Sequence, residues 1–141
     1  MTLQRAAFVT EAQLSDEPHL PPLVESLAEI TAELADPVLL ALGLRAGTRL
    51  VAAVRLRPAD NGVVELGRLC VAPDLQGQGL GSRLLRESEE ALPEAREIRL
   101  FTGSLSAANL RLYERHGYRR THIQPLGRHE LVHLAKDLSL P

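Results

Sequence analysis

The stretch "CVAPDLQGQGLGSRLL", Cys70 to Leu85, carries glycine at every second position, at Gly77, Gly79 and Gly81. A glycine inside an ordered element costs roughly 0.5–1 kcal/mol relative to alanine in lost backbone entropy, so three so close together need a compensating contact. A short apolar run precedes them and an amphipathic pattern follows. A strand, a glycine turn and a helix in that order offer free backbone N–H groups and the positive end of a helix, which suits an anion such as phosphate. The Walker loop needs a Gly-Lys-Ser or Gly-Lys-Thr, and the sole lysine of this chain is Lys136. The dinucleotide fingerprint GxGxxG fails at its third glycine, where Ser82 stands.

Three other groups have chemical types worth weighing. "HELVH", His129 to His133, matches the HExxH pattern in which two histidines on adjacent helical turns bind zinc. Here Val132 and Leu134 alternate with His133 and Ala135 as in a strand, and four strand steps hold the histidines about 13 Å apart, too far to share one ion. A zinc hydrolase is therefore the least favoured of the functions weighed. Cys70 is the only cysteine, so no intrachain disulfide and no cysteine-rich zinc site can form, and no histidine near it in sequence would activate it. Asn109 and Tyr113 are four residues apart on one expected helix and so share a face.

The elements that would position these residues follow from periodicity and turn signals. Ala6–Glu11 reads as a first strand. Leu20, Leu23, Val24, Leu27, Ile30 and Leu34 recur at helical spacing until Asp36 and Pro37, which places Glu25, Glu29 and Glu33 on a solvated outer face. Val38–Arg45 and Leu50–Arg57 read as a hairpin, Asn61-Gly62 as a turn, and Val63–Val71 as a third arm. A helix from Leu80 to Pro93, a strand over Glu97–Thr102, a helix over Ser106–His116 closed by Gly117, and a last hairpin of Tyr118–Ile123 with His129–Lys136 complete the chain.

Length and composition set the class. With 141 residues and 45% hydrophobic content the chain fits one domain, residues 1–141, with its own core. A net charge of −2 argues against a nucleic-acid partner. The strongest apolar run, "VLLALGL", falls far short of the ~20 residues of a membrane span. The expectation is a soluble, cytoplasmic protein without a membrane or nucleic-acid partner, monomeric or a homodimer.

The arrangement VxPxxQGxGxG resembles the acyl-CoA loop of the GNAT superfamily of N-acetyltransferases, whose core QxxGxG is met by Gln76, Gly79 and Gly81. A second signature of that family, Asn then LYE then GY, stands at "NLRLYERHGY", Asn109 to Tyr118, after the strand "EIRLF". The resemblance implies a mixed α/β fold: a largely antiparallel sheet of about seven strands flanked by helices, with a central strand, glycine loop, helix and strand. It implies acetyl-CoA as cosubstrate, no metal, and transfer of an acetyl group to a primary amine by direct attack in a ternary complex. A catalytically silent acyl-CoA sensor on the same fold is the alternative.

Carried onto this chain, the resemblance assigns the amides of Gln76, Gly77, Gln78, Gly79, Leu80, Gly81 and Ser82 to the pyrophosphate, and the exposed edge of Leu69, Cys70 and Val71 to the pantetheine arm. Asn109 would contact that arm and Tyr113 would bring its hydroxyl to the sulfur. The Leu69 amide would face the developing oxyanion. Glu65 stands where some members carry the glutamate that deprotonates the amine, directly or through water, and along the strand it shares a face with Leu69. A solvent-facing strand glutamate is the equal alternative. The amine itself carries no motif in this sequence.

Overall fold

The structure is a computed structural model that describes residues 1–15 and 19–139. Its helices are α1 (Thr2–Ser15), the single turn α2 (Pro21–Val24), α3 (Leu27–Leu34), α4 (Leu80–Ala91) and α5 (Ala107–Arg115). Its strands are β1 (Leu40–Ala46), β2 (Arg49–Pro58), β3 (Val63–Val71), β4 (Glu97–Gly103), β5 (Arg119–Leu126) and β6 (His129–Asp137). They form one six-stranded sheet in the order β1-β2-β3-β4-β6-β5. Every pairing is antiparallel except β3 with β4. That parallel step follows from the helix α4 that links the two strands, since parallel neighbours need a crossover connection.

From β1 onward the expected strands and helices are present in the expected order, and the departures before β1 are two. Ala6–Glu11 is not a strand but the middle of α1. Buried Gln4 and the cleft-lining Ala7, Phe8, Glu11 and Leu14 recur at steps of three and four, the helical period. The sheet accordingly has six strands where about seven were expected.

The helix expected through Leu20–Leu34 is broken at Glu25, whose extended backbone separates α2 from α3. Ser26 then restarts the helix with a capping box: its hydroxyl accepts from the Glu29 amide at 3.1 Å while its own amide donates to the Glu29 carboxylate at 3.3 Å. The break turns Glu25 inward, so it is 8% exposed rather than part of a solvated face. There it accepts from both Nη atoms of Arg55 at 3.2 and 3.3 Å and from the Gln4 amide at 3.0 Å. Burial pushes the Glu25 carboxyl up, but hydrogen bonds from Arg55 and Gln4 and the charges of Arg55 and Arg68 outweigh it, and the net direction is down.

Alternation along β2 supplies the opposite layer: Val54 and Leu56 join Leu84 and Leu85 of α4 in one core, with Ile98 and Leu134 from β4 and β6, all less than 2% exposed. The sheet opens where β3 leaves β4. Their pairing covers only Val63–Glu65 against Glu97–Arg99. Further along β3, Arg68 adopts a left-handed conformation (φ 54°) in a bulge that sets three steps of β3 against two of β2. The extra residue reverses the alternation, so Glu65 and Leu69 fall on opposite faces of the sheet, contrary to the expectation from unbroken spacing.

Candidate active site

The diverging end of β3, the glycine loop, α5 and α1 enclose a cleft of about 680 Å³. Gly77 and Gly79 hold φ angles of +78° and +83°, which a side-chain-bearing residue adopts only at a steric cost. Both face open space, with no atom within 4 Å of where a Cβ would stand. Gly79 is also the N-cap of α4, and with no side chain to cap the helix it leaves the first-turn amides of Leu80, Gly81 and Ser82, all residues that line the cleft, without a side-chain partner from the cap. The loop is thus a cradle of backbone donors at a positive helix end. This is what an anionic group of phosphate type requires.

Leu69, Cys70, Val71, Gln76, Gly77, Gly79, Leu80, Gly81, Ser82, Asn109 and Tyr113 all line the cleft. Of the residues expected to hold the coenzyme, only Gln78 is outside it, with an exposed side chain. Cys70 is buried, and burial pushes its thiol up to about 11, so it packs rather than reacts. Tyr113 is 5% exposed, and burial together with the charge of Glu11 pushes its phenol well above the ordinary value. Its ring meets Tyr118 edge-on at 5.9 Å, which fixes its orientation.

Glu65 is not brought together with these residues. It lines a second cleft, of about 520 Å³, with Glu97, Arg99, Phe101, His122 and His133. HELVH lies on β6 as a strand, so the helical face its metal pattern needs does not form. His133 instead stacks on His122 at 4.2 Å and bonds to Gln124 at 2.7 Å. Among the described residues no three His, Cys, Asp or Glu side chains come together to hold a metal.

Sequence reasoning missed the α1 wall of the cleft, Glu11 above all. The Glu11 carboxylate accepts from the Asn109 amide at 2.9 Å and from the Ser106 hydroxyl. Also missed were His116, whose Nε2 holds the Ser82 hydroxyl at 2.9 Å, and the cleft-lining Arg111 and Arg115. The spacing of Gln4, Ala7, Phe8, Glu11 and Leu14 was the available signal for α1.

A family model described as "Acetyltransferase (GNAT) family" matches residues 5–118. The chain belongs to the GNAT acetyltransferase family. Its matched region holds both walls of the cleft, including Glu11 and Tyr113. No curated protein sequence matches the chain. Among solved structures, the ribosomal-protein-S18-alanine N-acetyltransferase from Escherichia coli is 20% identical with a TM-score of 0.78, over 99% of this chain and 86% of that one. An aminoglycoside 6'-N-acetyltransferase complexed with coenzyme A is 21% identical with a TM-score of 0.75, over 94% and 92%. A GNAT family acetyltransferase from Elizabethkingia anophelis with acetyl-CoA bound is 21% identical with a TM-score of 0.68, over 82% and 85%. At these identities the likeness is one of fold, and it is the GNAT fold. Among the described residues no helix is long and apolar enough to cross a membrane.

Proposed function

We propose that this chain transfers the acetyl group of acetyl-CoA to a primary amine by direct attack within a ternary complex. The observation that carries the reading is the single cleft in which the glycine cradle, the freed edge of β3 and the face of α5 bearing Asn109 and Tyr113 meet. In this reading the cradle amides hold the pyrophosphate, and the edge of Leu69, Cys70 and Val71 together with Asn109 holds the pantetheine arm. The amine nitrogen attacks the thioester carbonyl carbon, and the Leu69 amide donates to the oxygen as it gains charge. A preorganised donor of this kind contributes about 3–4 kcal/mol to such a step. Tyr113 donates to the sulfur as the carbon–sulfur bond breaks. Glu65 lines the second cleft and stands outside this arrangement.

The test has two stages. Acetyl-CoA should raise the melting temperature, because a ligand bound only by the native state stabilises it by mass action. A panel of amino acids, polyamines, aminoglycosides and peptide N-termini should then yield amine-dependent release of free coenzyme A thiol. A thermal shift without release from any amine would favour a silent acyl-CoA sensor, and no shift at all would remove the coenzyme from the cleft.

A further inference from the structure

Glu11 is the one acidic side chain among the described residues that line the cleft, and the acetyl-transfer reading leaves it without a role. Its carboxylate is held by Ser106 and Asn109 at the start of α5, where the helix end favours negative charge. Each oxygen accepts one of these bonds and keeps a second lone pair for another donor. The titratable and charged groups facing it across the cleft are Tyr113, Arg111 and Arg115 of α5 and Cys70 of β3; the glycine loop brings none. Its charge reaches the Tyr113 phenol strongly enough to raise that group's pKa. Glu65, the carboxylate that the family resemblance offers as a base, faces a different cleft.

We propose that Glu11 binds the acceptor as its protonated primary amine and takes the proton that makes the nitrogen a nucleophile. The inference rests on the acetyl-transfer reading and assigns its proton acceptor and its acceptor class, an alkylammonium rather than an alcohol or a thiol. The ammonium gives one proton to the Glu11 carboxylate, which becomes a carboxylic acid. The freed lone pair forms the nitrogen–carbon bond. As the carbon–sulfur bond breaks, its electron pair stays on sulfur, and the second nitrogen proton ends there to give the coenzyme A thiol. Glu11 returns its proton to solvent when the products leave.

The test is the pH profile of kcat/KM with a confirmed amine, beside calorimetric binding of acetyl-CoA. Wild type should be flat between about pH 6 and 9, since the amine arrives protonated and gives up its proton within the complex. Glu11→Gln should fall about 10²- to 10³-fold at pH 7 and then rise about tenfold per pH unit, as only amine that arrives neutral still reacts. Its acetyl-CoA affinity should stay within a few-fold. Glu11→Asp, which keeps the charge on a shorter stem, should be slower yet flat, and it serves if the glutamine variant does not fold. A merely structural tie between α1 and α5 would move melting temperature and leave the slope flat, which overturns the proposal. A flat profile for Glu11→Gln with a rising one for Glu65→Gln would move the base to Glu65. Absence of amine-dependent thiol release in wild type defeats the acetyl-transfer reading itself, and the role of Glu11 with it.

Discussion

Replacing Tyr113 by phenylalanine isolates one atom of the proposed chemistry. The ring is 5% exposed and packs edge-on against Tyr118, contacts that phenylalanine retains, so the folded state should change little. An ordinary phenol titrates near ~10 and an ordinary thiol near ~8.5, which makes full proton transfer to a leaving thiolate uphill by about 2 kcal/mol. In this cleft burial and the Glu11 charge push the phenol higher still, so the gap widens. In the proposed reaction the hydroxyl would therefore serve as a hydrogen-bond donor to sulfur rather than as a proton donor. A preorganised donor aimed at charge that exists only in the transition state contributes about 3–4 kcal/mol, or a factor of about 10² to 10³ in rate. Steady-state thiol release with a confirmed amine should show that loss in kcat for Tyr113→Phe, while calorimetry shows acetyl-CoA affinity within a few-fold. Wild-type turnover would remove Tyr113 from the chemistry. Equal losses in rate and affinity would make it only a wall of the coenzyme slot.

Two further perturbations test the cradle and the frame behind it. Gly79→Glu must adopt a left-handed conformation and send a negative side chain into open cleft; it should abolish the melting shift produced by acetyl-CoA, and a full shift in a folded variant would move the phosphate elsewhere. Arg55→Met leaves Glu25 buried without its main partner and should cost about 3–5 kcal/mol in urea unfolding, most of it recovered by pairing the change with Glu25→Leu. Because the folded state holds the Glu25 carboxyl below its ordinary value, its contribution is present above that value and lost as pH falls through the lowered one. Acid unfolding of wild type should therefore steepen below about pH 4, and that component should be missing from the double variant.

Much of the fold is legible in the sequence because its signals are local. Alternation over β2, the Asn61-Gly62 turn and the glycine loop each declare themselves within a few residues, and β3 spans Val63–Val71 as expected. Where the signals mislead, a polar residue stands on a buried face. The inner side of α1 carries Gln4 and Glu11 beside Ala7, so an apolar periodicity search finds a short strand-like run instead of a helix. Glu25 is misplaced by any reading that runs the helix through it unbroken, although Ser26 and Glu29 spell a capping box that announces a fresh start. The bulge at Arg68 has no such marker: a positive φ on arginine is set by its surroundings, and it alone reverses the relation of Glu65 to Leu69.

These hidden residues form one device. The Glu25 carboxylate takes hydrogen bonds from Gln4 on α1 and Arg55 on β2, and it stands 3.6 Å from Nε of Arg68 in the bulge of β3. Gln4 lies two helical turns before Glu11, on the same side of α1. Arg68 immediately precedes Leu69. The two walls of the cleft, one bearing the proposed base and the other the proposed oxyanion donor, thus meet the same buried anion, α1 through the hydrogen bond from Gln4 and β3 through the charge of Arg68, whose Nε makes no hydrogen bond. Buried ion pairs of this kind add little net stability over an apolar core, but their geometry is strict and their disruption is costly. A hydrophobic replacement of the whole cluster would accordingly keep the fold while loosening the spacing between Glu11 and the Leu69 amide, and a reaction that needs both within reach of one carbonyl carbon is sensitive to misplacement of about 1 Å.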